Sequence, residues 1–279
     1  AILSVPTITQ YKNKKDYCSS APKVLRKESQ KFAKRIGSWD FDTNSIFLKK
    51  LSNIIDIGNF PISRNPQKDR SNLTETIKKL VEKKNKFLVI GGDDSVAIPA
   101  IAGLEPLSKL YIVQIDAHLD WINKLYGEKF GRSNVMRRAS EMKHIKKILQ
   151  VGARGIGSGH SKDYQDALDW GVKFYLAEEV HSDGLEPILE NINKNSDVII
   201  CIDIDSMDPS IAPNTIGRVP GGLSYFQVFN LIKGVAKKAN IKAMDFTEIM
   251  PEVDIDGLGG LTVSRLIAST MGIIARQKK

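Results

Sequence analysis

The chain has 279 residues, 42% of them hydrophobic and 26% charged, with a formal net charge of +9. That length and balance allow a substantial buried core and exclude a disordered or low-complexity protein. Cys18 and Cys201 are the only cysteines, which excludes a disulfide-stapled secreted scaffold and points to a reducing, cytoplasmic setting.

The excess positive charge is spread as pairs such as Lys49-Lys50, Lys78-Lys79 and Lys237-Lys238. A nucleic-acid face would gather it into a stripe with interleaved aromatics, so a solvated surface and no nucleic-acid partner are expected. No apolar segment is read as a membrane span, so no membrane partner is expected either. The chain starts at Ala1 without a signal-like segment or a Met, which suggests a trimmed or partial N-terminus.

In chain order, a helical pattern at Pro22–Ile36 is followed by strand-like Asn53–Gly58, helical Leu73–Lys84 and strand-like Phe87–Ile90 and Leu110–Ile115. Strand-like Ile148–Val151 then leads to helical Ser161–Asp169 and Leu185–Asn193, strand-like Val198–Ile204, helical Tyr225–Lys238, strand-like Ile241–Phe246 and helical Thr262–Ala275. Asn72 before Glu75, Asp183 before Glu186 and Ser224 before Gln227 have the spacing of helix-starting capping boxes. Alternation of this kind predicts an α/β fold, a mostly parallel sheet with helices on both faces, here as a single domain over 1–279. Parallel crossovers place functional loops at the carboxyl ends of strands. Gly91-Gly92-Asp93-Asp94, the Asp116 segment, Gly152–Gly159, the Asp203 segment and Glu248 all follow strand-like runs.

Two of those segments carry the chemistry. In Asp116-Ala-His118-Leu-Asp120 and Asp203-Ile-Asp205, alternate residues of an extended chain point to one side. Four carboxylates and an imidazole converging at strand ends repel one another unless cations sit among them. Oxygen-rich ligation with one imidazole suits Mn²⁺ better than structural zinc. Two such ions lower the pKa of a shared water into the neutral range.

Asp116-Ala-His118-Leu-Asp120, Asp203-Ile-Asp205-Ser-Met-Asp208-Pro209, Pro220-Gly221-Gly222-Leu223 and Asp245-Phe-Thr-Glu248 together resemble the ordered signatures of the ureohydrolase (arginase–agmatinase) family. The run Tyr126-Gly-Glu-Lys-Phe-Gly-Arg-Ser-Asn-Val-Met-Arg-Arg-Ala139 most resembles members acting on agmatine and guanidino acids. The resemblance covers residues 50 to 279. It implies a three-layer α-β-α sandwich, a binuclear Mn²⁺ centre, a homo-oligomer (trimer or hexamer), and hydrolysis of a small guanidino substrate to urea and an amine. It further implies that Asp116 and Asp203 bridge two ions, that Asp120 completes the first site, and that His118 and Asp205 complete the second. Asp120 would also hold the attacking water, and Glu248 the substrate guanidinium.

Two positions depart from the family pattern. Asp94 stands where the remaining His ligand of the first ion belongs, and Arg132-Ser133 replaces a His-Gly pair whose His shuttles protons. Five carboxylates against two divalent ions leave one net negative charge, which weakens a bound nucleophile. Arg stays protonated and cannot shuttle protons. Arg132 is expected either to pair with Asp94 or with a substrate carboxylate, or to be a solvated loop residue.

Tyr17-Cys18-Ser-Ser-Ala-Pro22 and Asn214-Thr215-Ile216-Gly217 also replace family segments that shape specificity. His160, after Gly155-x-Gly157-x-Gly159, is a candidate pocket residue and substitute proton carrier, while the glycine run itself reads as a rim loop rather than a dinucleotide site. Trp121 is expected to wall the pocket. The resulting expectation is a slow or retargeted Mn²⁺-dependent ureohydrolase, agmatinase-like, with two ions or a single one. The alternative is a catalytically weak or inactive relative that serves as a binding or assembly subunit. A deacetylase-like hydrolase on the same fold is disfavoured by Glu248 and the paired aspartates.

Overall fold

The computed structural model describes residues 1–9, 11, 17–48, 54–63 and 65–277. Lys49, Lys50 and Asn53 lie outside them. The strands are β1 (Ile2–Val5), β2 (Trp39–Asp40), β3 (Ser45–Ile46), β4 (Asp56–Asn59), β5 (Phe87–Gly91), β6 (Leu110–Ile115), β7 (Ile145–Ala153), β8 (Lys173–Leu176), β9 (Asp197–Asp203) and β10 (Asn240–Thr247). The helices are α1 (Ala21–Ala33), α2 (Pro66–Glu82), α3 (Ala97–Ala102), α4 (Val135–Ser140), α5 (Ser161–Trp170), α6 (Ala177–Ser182), α7 (Glu186–Glu190), α8 (Tyr225–Lys238) and α9 (Leu258–Arg276).

Eight strands form one parallel sheet in the order β4-β1-β5-β10-β9-β6-β7-β8, and β2-β3 is a separate antiparallel hairpin. Strand pleating divides each strand between two apolar layers. Leu88, Ile90, Val198, Ile200 and Ile202 pack with α1, α6, α7, α8 and α9. Phe87, Val89, Ile199 and Cys201 pack with α2, α3, α4 and α5 on the other face. Burial on both faces explains why these strands read as unbroken apolar runs. The result is the expected α-β-α sandwich.

Local signals decide several element boundaries. Ser224 caps α8, accepting from the Gln227 N–H at 3.2 Å, and the Gln227 side chain accepts from the Ser224 N–H at 2.9 Å. Asn72, by contrast, lies inside α2, which starts earlier because Asn65 accepts from the Lys68 N–H ahead of Pro66. Asp183 ends α6 and does not cap α7. Contrary to the sequence reading, α9 is long and apolar enough to cross a membrane by length and composition. Here it packs against α1 and α8 with Val263, Leu266 and Ile267 in the core.

Because the sheet is parallel, the ends of β5, β10, β9, β6 and β7 share one edge. The segments bearing Asp94, Glu248, Asp203, Asp116 and Arg154 therefore meet there. Gly92 permits the crossing at β5, since a Cβ there would lie 1.8 Å from the Thr7 carbonyl oxygen.

Candidate metal centre

Short 3-10 helices after two strands turn their acids into the cleft. In the first, Asp93 caps Asp94–Val96 and also accepts from the Thr9 N–H at 2.6 Å. In the second, Asp203 Oδ1 accepts from the Asp205 N–H at 2.8 Å. Two groups result. Asp94, Asp116 and Asp120 bring ligand oxygens within 4.8 Å of one another, as do the ligand atoms of Asp116, His118, Asp203 and Asp205. Asp116 is common to both, whereas Asp203, expected to bridge, falls only in the second group. All five carboxylates are buried.

Two non-glycine residues of the site adopt left-handed backbone conformations, Asp120 at φ 50° and Glu248 at φ 64°. Each such residue costs on the order of 1–3 kcal/mol and persists only where its surroundings over-determine it. The Asp120 carbonyl accepts from Met136 and Arg137 at the start of α4 (3.1 and 3.2 Å), and the Glu248 N–H donates to Gly92 at 2.9 Å.

Crowding dominates the electrostatics. Burial and neighbouring carboxylates raise the pKa values of Asp94, Asp120, Asp203 and Asp205. Burial lifts Asp245, in β10, to about 7, with hydrogen bonding from Cys201 and the Ile202 backbone opposing the shift. Burial opposes ionisation of Asp116 too, but His118 outweighs it and the net shift is downward. His118 Nδ1 lies 2.9 Å from Asp205 Oδ2 and 3.4 Å from Asp116 Oδ1. Although burial opposes its charge, these contacts raise its pKa to about 11. Asp94 accepts from the Thr247 hydroxyl at 2.9 Å through Oδ1, while its Oδ2 has no partner. Orphaned, mutually repelling oxygens of this kind fit divalent cations, which supply the missing positive charge. A close backbone approach completes the cradle: a Cβ on Gly217 would lie 2.5 Å from Asp205 Oδ2 and 2.6 Å from His118 Cε1.

Arg132 corrects one expectation. It does not pair with Asp94; its guanidinium lies 3.9 Å from Glu248 Oε2 and donates to the Tyr17 hydroxyl at 2.5 Å. Burial opposes its charge, but Glu248 and Tyr17 hold its pKa above the ordinary value. Nor is it a solvated loop residue, with 18% of its side chain exposed. Glu248 Oε1 accepts from the Asp94 N–H at 3.0 Å and from Tyr17 at 3.4 Å. Burial, with Asp93 nearby, lifts Glu248 to about 8.

Other candidates fall outside the cluster. His160 is exposed at the start of α5, and its N–H donates to Asp163 at 3.0 Å. Trp121 is a core residue stacked edge-on with Trp170 rather than a pocket wall.

Three supporting residues escaped the sequence reading. Gln114 and Gln150 lie under Asp116 and Asp120; their signal was a glutamine inside each of two apolar strand runs. Arg154 donates to the carbonyls of Gly152, Asp205, Ser206, Met207 and Val219, tying the loop after β7 to the Asp205 turn. Asp208, at the end of its motif, accepts from the Gly221 and Gly222 N–H groups.

A parallel sheet with buried acids and an imidazole at its carboxyl edge defines an α/β protein with a candidate two-cation centre. The sequence model of the Arginase family matches residues 1–272, and the chain belongs to that family. It is 31% identical over 192 residues to an N(1)-aminopropylagmatine ureohydrolase of Thermus thermophilus, spanning 67% of this chain and 62% of the relative. It is 26% identical over 241 residues to the guanidinobutyrase of Pseudomonas aeruginosa, spanning 80% of this chain and 73% of that one. The formimidoylglutamase structure from Bacillus subtilis shares the fold with a TM-score of 0.86 at 20% identity, over all of this chain and 88% of the other.

Proposed function

We propose that the chain hydrolyses a linear guanidino compound to urea and an amine at a pair of divalent cations, with Mn²⁺ the ion its oxygen-rich donors suit. The observation that carries this reading is the pair of ligand groups joined through Asp116. Asp94, Asp116 and Asp120 hold one ion, and Asp116, His118, Asp203 and Asp205 the other. Such a pair supplies a nucleophilic water at neutral pH. His118 must surrender its proton to ligate.

Substrate entry would displace Arg132 from beside Glu248 and leave the two to read opposite ends of the substrate. The carboxylate pairs with the guanidinium, and Arg132 takes a substrate carboxylate. This pairing favours a guanidino acid over agmatine, whose second charge is positive. Nothing at position 132 can protonate the leaving amine, so solvent does so, at a cost of about 10²–10⁴ in rate.

The seating of Arg132 beside Glu248 also favours a second reading, a non-catalytic relative whose guanidinium pocket is filled from within. Urea release from agmatine, arginine, guanidinobutyrate and guanidinopropionate, with and without Mn²⁺, separates the two. Mn²⁺-dependent urea from a guanidino acid is expected. Silence across the panel by the metal-loaded protein rejects the enzymatic reading.

A further inference from the structure

Gln114 and Gln150 are both 1% exposed and are direct register partners on β6 and β7. An amide is costly in a buried parallel sheet unless its hydrogen bonds are made. Gln114 Nε2 donates to Asp116 Oδ2 at 2.7 Å and to Asp120 Oδ2 at 2.9 Å. Gln150 Nε2 in turn donates to Gln114 Oε1 and, at 2.9 Å, to the carbonyl of Leu119, the residue preceding Asp120.

The relay has a direction. Reversing the Gln114 amide would set its oxygen against two carboxylates and its NH₂ against the NH₂ of Gln150. Gln150, anchored on the Leu119 carbonyl, therefore fixes which way Gln114 faces. A single NH₂ group so oriented holds two like-charged side chains side by side and offsets part of their repulsion. Among the described residues, Gln114 makes no hydrogen bond to Asp203 or Asp205. It meets Asp116, which both groups share, at Oδ2, whereas His118 of the second group lies against Oδ1, so with its bond to Asp120 its support falls chiefly on the group that contains Asp94 and Asp120.

We propose that Gln114, oriented by Gln150, is the positioning residue that sets the affinity of the Asp94–Asp116–Asp120 group for its divalent cation. This rests on the two-cation reading above. Deleting such a support costs about 10–100-fold in metal affinity.

The test is calorimetric titration of Mn²⁺ into the metal-free full chain, compared with Gln114→Met, Gln150→Met and the double variant, with the thermal midpoint of each measured alongside. In the wild type, two ions should bind. Gln114→Met should weaken one of them by about 10–100-fold and leave the other within about threefold. Gln150→Met should act in the same direction, and the double variant should match Gln114→Met, because both residues act through one amide. If the wild type binds two ions and both Met variants bind them equally well, this inference alone is overturned. It is equally overturned if both ions weaken together in step with the thermal midpoint, since that marks general destabilisation. A wild type that binds no Mn²⁺ overturns the metal reading itself and the inference with it.

Discussion

Replacing Arg132 with Gln tests how the site discriminates substrates. The variant keeps a polar side chain beside Tyr17 but removes the cation 3.9 Å from Glu248. At an effective dielectric near 20, that pair attracts by about 4 kcal/mol. Removing Arg132 from water and ordering its side chain cancel part of this, leaving about 2 kcal/mol as the working figure. A cationic substrate must displace the internal guanidinium, so its affinity is depressed by about 30-fold at 1.4 kcal/mol per decade. Arg132→Gln should therefore tighten agmatine binding about 30-fold. A guanidino acid gains the same relief but loses a charge-assisted contact worth about 1.5–3 kcal/mol, so guanidinobutyrate should end between about twofold tighter and fivefold weaker, and selectivity for agmatine over it should rise about 10–100-fold. Calorimetry on the Mn²⁺-loaded protein gives both constants, and KM from urea release gives a parallel measure. The reasoning is refuted if agmatine binds no more tightly to the variant, or if the acid tightens as much as agmatine does.

Further outcomes follow from the same geometry. His118 (about 11), Asp245 (about 7) and Glu248 (about 8) all have folded-state pKa values above their ordinary ones. Folded protein therefore binds more protons than unfolded. Metal-free stability is full below about pH 4 for the acids and is lost as pH rises through their folded values, with His118 adding loss above about 6.5. The thermal midpoint of the metal-free chain should fall from pH 5 to pH 9, and Mn²⁺ should recover it at pH 8; a flat profile would contradict the crowding. Asp94→His removes the surplus negative charge and should raise Mn²⁺-dependent urea release by about tenfold or more; an unchanged rate would show that the charge is harmless. Gly217→Ala drives a methyl into Asp205 and His118, with a clash cost of about 1–3 kcal/mol. In a Mn²⁺ titration it should weaken the ion held by those two residues more than the other.

Much of the candidate site was legible because the acids and imidazole that cluster there obey the simplest periodicity of an extended chain. Asp116, His118 and Asp120, like Asp203 and Asp205, are spaced by two and follow apolar runs, and parallel strands bring such ends together. Glu248 and Asp94 carry no such local pattern and stood out only through a family motif. The partners of Arg132 were not legible at all, since Tyr17 and Glu248 lie 115 and 116 positions away along the chain. The sheet was partly hidden for local reasons. Strand β1 is four residues long with a serine in it, and α3 and α4 are six residues each, too short for a helical period to repeat. The true start of α2 was marked by Asn65 and Pro66, a pair that also reads as a turn.

The most direct measurement is the number of Mn²⁺ ions bound per chain after dialysis, by elemental analysis, in the wild type and in Asp116→Ala. Because Asp116 belongs to both ligand groups, the wild type should retain two ions and the variant should lose high-affinity binding of both. A wild type without metal, or a variant that keeps two, would contradict a centre built around that shared carboxylate.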